Sequence, residues 1–152
     1  KTIKMTYQIL LLLSGIVGIL VVIQGGVNAQ LGVLLNNSLL ATFTTLSVSA
    51  IITFFAVIAS FRGIPKEVSF QAVPTYMWFL GGVLSFISVS LFYFIIPRTG
   101  ISTVVTFGLA GQLVFASIAS HFGWFNMPIE LLSFKKVVGI IILIVALFLI
   151  KS

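Results

Sequence analysis

From Ile9 onward, fifteen consecutive residues, ILLLLSGIVGILVVI, are apolar or small, and the run gives way to QGGVNAQLG at residues 24–32. Comparable runs recur along the chain and predict five membrane spans, at 7–29, 39–61, 75–96, 101–120 and 137–150. Turn-forming and charged residues collect in the four connections, LGVLLNNS, RGIPKEVSFQAVP, PRTG and HFGWFNMPIELLSFKK. A helix of about 20 apolar residues crosses the roughly 30 Å hydrocarbon core, and only a helix or closed barrel satisfies its backbone there. The pattern therefore predicts an all-α, polytopic membrane protein in which residues 1–152 form one five-helix transmembrane domain. The fifth span is the shortest. Fourteen residues separate Lys136 from Lys151, which suffices if both ammonium groups reach out to the headgroups; a re-entrant segment is the alternative.

Composition agrees with the pattern. Of 152 residues, 60% are hydrophobic and 7% charged, and the mean hydropathy is +1.30, more apolar surface than a water-soluble fold can hide. The first run lacks a small-residue cleavage site followed by a soluble domain, so it reads as a span rather than a secretory signal. The net charge of +6 does not point to nucleic acid, because the cations are scattered singly or in pairs. They sit at span ends. With an odd number of spans, Lys1, Lys4, Arg62, Lys66, Lys135 and Lys136 fall on the N-terminal side and Arg98 and Lys151 on the other, and the positive-inside rule predicts a cytoplasmic N-terminus. Tyr7, Tyr76, Trp78 and Trp124 lie near span ends, where amphipathic rings anchor to the interface.

Candidate chemistry is uncharged. The chain has no cysteine, which excludes disulfides, thiol nucleophiles and thiolate metal sites. It carries one histidine, no aspartate and no GxxxxGK[ST] loop, so neither catalysis nor a cofactor is expected. Gln24 and Asn28 are four residues apart and share a helical face, with Gly32 continuing it if the helix persists. An unpaired amide in hydrocarbon costs several kcal/mol, on the order of a lost hydrogen bond or more, so both must meet protein or water. Gly25 and Gly26 beside them weaken the helix and allow local unwinding that frees carbonyls for a solute. The competing reading is that QGGVNAQLG is where the first helix leaves the membrane, which suits Gln30 best.

Small polar residues form stripes. In span two, Thr42, Thr45, Ser49, Thr53 and Ser60, with Ala56, recur at steps of three and four; in span four, Gly108, Gln112, Ala116 and Ser120 recur at steps of four. Span three offers Gly81, Gly82, Ser85 and Ser88, and span five only Gly139. Such surfaces serve helix packing, or line a cavity, at different depths. The two acids, Glu67 and Glu130, both lie in connections, so no carboxylate stands at membrane depth as a proton carrier. His121 ends span four and reads as interfacial or structural rather than as a relay. Arg98 either snorkels to headgroups or attracts anions as a gate.

The segments GIVGILVVIQGGVNAQLG, FLGGVLSF, IIPRTGIS and GLAGQLVFASIASHFGWFN occur in an order and spacing that resembles the YdcZ-type family of small bacterial inner-membrane proteins, a five-helix branch of the drug/metabolite transporter superfamily. The resemblance covers nearly the whole chain. One position departs: the family usually carries an aspartate before His-Phe-Gly, and here Ser120 stands there. The resemblance implies half of a ten-helix inverted-repeat transporter, pairing with an oppositely oriented copy or with a paralogue. Alternating access about a midplane site fits such a pair. The residues and the resemblance together predict an exporter of a small organic solute, in contact with membrane lipid, with Gln24, Asn28, Gln112, Thr45, Ser49 and Ser85 toward the substrate and Gly25, Gly26, Arg98, Gly108, Ser120 and His121 at gates or interfaces. A non-transporting membrane subunit that regulates another protein is the alternative, and a passive channel a weaker third, since no charged ring or filter motif is present.

Overall fold

The computed structural model describes residues 2–60, 73–126 and 128–151, with side chains over 7–60, 73–126 and 128–149. Lys1, Arg62, Lys66 and Glu67, most of the connection RGIPKEVSFQAVP, and the end of the second span at Phe61 lie outside the described residues. The helices are α1 (Thr2–Leu34), α2 (Ser38–Ala59), α3 (Thr75–Thr99), α4 (Ile101–His121) and α5 (Phe134–Lys151), with a short 3-10 turn at Trp124–Asn126. The chain is all-α, and α1 to α4 are each long and apolar enough to cross a membrane. They group into two compact units, one holding α1 to α3 and the other α4 and α5.

In the first unit α1 and α2 pack closely because small residues meet. Gly32 lies against the Ser38 backbone and the Ala41 methyl, where an added Cβ would stand 3.3 Å from Ser38 Cα. Ala29, Ala41 and Thr42 are at most 1% exposed, the close backbone approach expected where lipid supplies no hydrophobic drive between helices. The Thr42 hydroxyl returns to the Ser38 carbonyl at 3.0 Å, so it enters the contact without an unmet hydrogen bond.

The turn between them is built from two asparagines. Asn36 adopts φ 49°, the left-handed conformation that asparagine tolerates. The Asn36 N–H then donates to Val33 O at 3.0 Å and the Asn37 N–H to Gly32 O at 2.9 Å, the paired bonds that close a helix C-terminus. Asn37 in turn caps α2, its Oδ1 accepting from Leu39 N at 2.9 Å and Leu40 N at 3.3 Å.

Two expectations change at helix ends. α1 continues unbroken through Gly25 and Gly26 to Leu34, so QGGVNAQLG is helical rather than unwound; flanking i→i−4 bonds outweigh the roughly 1 kcal/mol cost of each glycine. Likewise α3 runs through Pro97 and Arg98, and the turn falls on Gly100 alone, at φ 86°, a conformation open to glycine.

In the second unit α4 lies against α5, with Ala110, Ser117 and Ala119 of α4 and Leu147 of α5 buried. The small-residue stripe of α4 is open within this unit: Gly108, Gln112 and Ala116 are exposed, and a Cβ on Gly108 would meet nothing within 4 Å. After α4 the chain reverses through Gly123, Phe125 and Asn126, all at positive φ. Trp124 stacks with Phe122 at 6.1 Å and meets Phe115 at 6.0 Å between centroids, an aromatic cluster suited to the membrane interface.

Candidate functional site

The depth of the α1 amides follows from the turn. α2 begins at Ser38 and has 22 residues, about 33 Å at 1.5 Å per residue, so it needs nearly its whole length to cross a core of roughly 30 Å. The Asn36–Asn37 turn must therefore sit at an interface. Gln24 precedes the end of α1 by ten residues, roughly 15 Å, which brings it close to the bilayer midplane. Asn28 lies one turn nearer the surface.

There the two amides part company. Asn28 is half-buried, and its Nδ2 donates to the Tyr93 hydroxyl oxygen on α3 at 3.0 Å. Tyr93 is 2% exposed, so the bond stands in a low dielectric, where an unmet partner costs most. One turn away on the same edge the Phe92 ring occupies the space above Gly25, and any Cβ at Gly25 would overlap that ring. Gly25 thus admits a ring where a loosened backbone was expected. Gln24, by contrast, is exposed, in a shallow open depression whose lining residues, Val21, Val27 and Asn28 among them, all belong to α1. Gly26 is half-buried.

Nearer the turn, a groove of about 800 Å³ opens within the first unit. Its walls are the C-terminal turn of α1, the start of α2 and the C-terminal turns of α3, including Ser90, Tyr93, Pro97 and Arg98. Those three helix ends therefore lie at one end of the unit. The Arg98 guanidinium carbon stands 3.6 Å from the centre of the Phe94 ring, and Nη1 donates to the Phe94 carbonyl. Among the described residues no acidic side chain lines the groove.

The remaining candidates are dispersed. Thr45 is half-buried and its Oγ1 is buried without a hydrogen-bond partner. Ser49 and Ser85 are exposed on α2 and α3, and Gln112 and Gly108 on α4. Ser120 and His121 tie down the segment after α4: the Ser120 carbonyl accepts from Glu130 N at 3.1 Å, and His121 Nδ1 accepts from Leu132 N at 3.2 Å. This gives both a local structural task. Among the described residues no group of histidine and acidic side chains could hold a metal ion.

Tyr93 and Phe92 are the residues that sequence reading passed over. In SLFYFII an aromatic run looks like more lipid-facing bulk, and the one available signal was a phenol oxygen deep in a span, which needs a partner.

Comparison with known proteins matches residues 9–149 to the family model DMT_YdcZ, described as "Putative inner membrane exporter, YdcZ". Comparison with curated proteins and with solved structures gave no match. With four helices among the described residues long and apolar enough to cross a membrane and a family match over nearly its whole length, the chain belongs to the YdcZ family of inner-membrane exporters.

Proposed function

We propose that this member is a half-size secondary carrier that exports a small organic solute, working as an inverted dimer by alternating access. The observation that supports it most is the amide pair at mid-membrane depth: Asn28 held by Tyr93, and Gln24 exposed beside it. An exposed amide at that depth needs water or another chain's polar surface. A second bundle closing over the depression supplies both, and two inverted bundles supply the walls of a central site that one bundle lacks. Gln112 with the open stripe of α4, and Thr45, Ser49 and Ser85, are assigned to the same path or its dimer contacts. Catalysis forms no part of this reading.

The N-terminus is assigned to the cytoplasm in one copy and to the opposite side in its partner, which is a second copy or a paralogue. Purified protein reconstituted in liposomes should move at least one solute from a broad metabolite and drug panel, and Gln24→Ala and Asn28→Ala should alter solute binding more than assembly. No movement of any solute under any ion gradient, with the variants changing assembly alone, contradicts the carrier.

A further inference from the structure

The groove at the Asn36–Asn37 turn carries chemistry that neither the family description nor the amide pair assigns. We infer that it binds a small amphipathic organic anion, its carboxylate, sulfonate or phosphate on Arg98 and its apolar body along α3; this rests on the carrier reading only in taking the groove as the mouth of the path that Asn28 and Tyr93 close.

Charge decides the sign. Among the described residues Arg98 is the only charged side chain in the lining. Its guanidinium is held over the Phe94 ring, and one of its five N–H donors is spent on the Phe94 carbonyl. The remaining fork suits a planar or tetrahedral oxyanion. The start of α2 also faces the groove through Ser38 and Leu39, but Asn37 Oδ1 already accepts from Leu39 N and Leu40 N, so the attraction rests on Arg98. Two helix C-termini also border the groove and would repel an anion. At the α1 end Val33 O and Gly32 O are taken up by the Asn36 and Asn37 N–H groups, while the last-turn carbonyls of α3 stay as partial negative charges. The full charge of Arg98 therefore outweighs the partial ones that remain.

Size and lining set the rest of the ligand. About 800 Å³ falls in the range of drug-sized ligand sites, and the exposed polar surface of the groove is small beside the apolar, so a fully hydrophilic anion would be desolvated without return. Ser90 also lines the groove, and its hydroxyl is buried with no hydrogen-bond partner, an orphan that a ligand's polar group can meet after a rotamer change. The occupant has an apolar body and one anionic head.

The test is equilibrium binding of radiolabelled 1-naphthoate to the full chain in phosphatidylcholine nanodiscs, with 1-naphthylmethylammonium as the cation of matching body. We expect saturable binding of the anion alone, a Kd raised about tenfold or more by Arg98→Gln, a smaller rise for Arg98→Lys, and loss of binding in Leu91→Trp, which fills the groove without touching the charge. Leu91 is exposed, so that variant reports on the groove if Arg98→Gln fails to fold. Equal binding of anion and cation, or an Arg98→Gln Kd unchanged, overturns the inference. Binding abolished when phosphatidylglycerol replaces phosphatidylcholine overturns it too, in favour of a lipid headgroup site. No gradient is applied, so a chain that binds the anion but transports nothing refutes the carrier and leaves this site standing, while one that transports a solute but does not bind the anion does the reverse.

Discussion

Asn28 on α1 and Tyr93 on α3 are joined by a 3.0 Å hydrogen bond from Nδ2 to the phenol oxygen, 65 residues apart in the chain and on the side of α1 that also receives Phe92. The bond couples the polar pair of α1 to the wall of the groove, because Tyr93 lines the latter. Asn28→Ala and Tyr93→Phe should each lower the thermal stability of the purified protein. Their double-mutant cycle should return a coupling on the order of 1 kcal/mol, the scale of hydrogen bonds between membrane helices. Additive losses would mean that the two side chains do not stabilise each other.

Gly25 admits the Phe92 ring, and nothing larger fits. Gly25→Ala should destabilise by roughly 1–3 kcal/mol, as overpacking does, and Phe92→Ala in the same chain should recover part of that loss. Gly15→Ala and Gly18→Ala, at positions where a Cβ meets nothing within 4 Å, should be neutral or stabilising. Thermal unfolding of the four variants compares them directly.

The α1–α2 turn depends on two different properties of asparagine. Asn37→Ala removes the cap from Leu39 N and Leu40 N and should cost about 1 kcal/mol. Asn36→Ala, forced to φ 49°, should cost roughly 1 kcal/mol or more, whereas Asn36→Gly should not. Melting temperatures that rank Asn36→Gly below Asn36→Ala would contradict this account of the turn.

Hydropathy made the spans legible, because length and the absence of charge are the same whichever way a helix faces. α2 and α4 begin and end within a residue or two of expectation, but of LGVLLNNS only Leu35, Asn36 and Asn37 lie outside the helices, because α1 runs on to Leu34. What hydropathy leaves out is the face. Lipid is as apolar as a helix contact, so nothing in the sequence says that Gly32 and Ala41 meet while Gly108 and Ala116 stay open within their unit. In the span-two series only Thr42 is fully buried, Thr45 is half-buried, and Ser49, Thr53 and Ser60 are exposed. The Gly25–Gly26 pair suggested a break in α1 and Pro97 an earlier end to α3, and neither formed, since neighbouring helical bonds hold each through. Tyr93 was hidden by its phenylalanine neighbours.

Solute movement should depend little on a proton gradient. The chain has two acids; Glu67 lies outside the described residues, and Glu130 is 70% exposed in a 2.9 Å pair with Lys136, a kind of contact that contributes at most about 1 kcal/mol. Collapsing the pH gradient across homodimer-containing liposomes should change transport by less than about twofold, and Glu130→Gln should transport as the parent does, since Glu130 stands in the connection between α4 and α5. A steep gradient dependence abolished by Glu130→Gln would contradict this.

The central claim is that Gln24 meets a hydrated crevice near the middle of the membrane, and the absence of cysteine from the chain makes it directly measurable. Gln24→Cys and Val48→Cys, the latter at similar depth on the exposed face of α2, should be treated in intact membranes with a membrane-impermeant thiol reagent. The account predicts that Gln24→Cys is modified and Val48→Cys is not. A Gln24→Cys that stays unmodified, or reacts no faster than Val48→Cys, would contradict it.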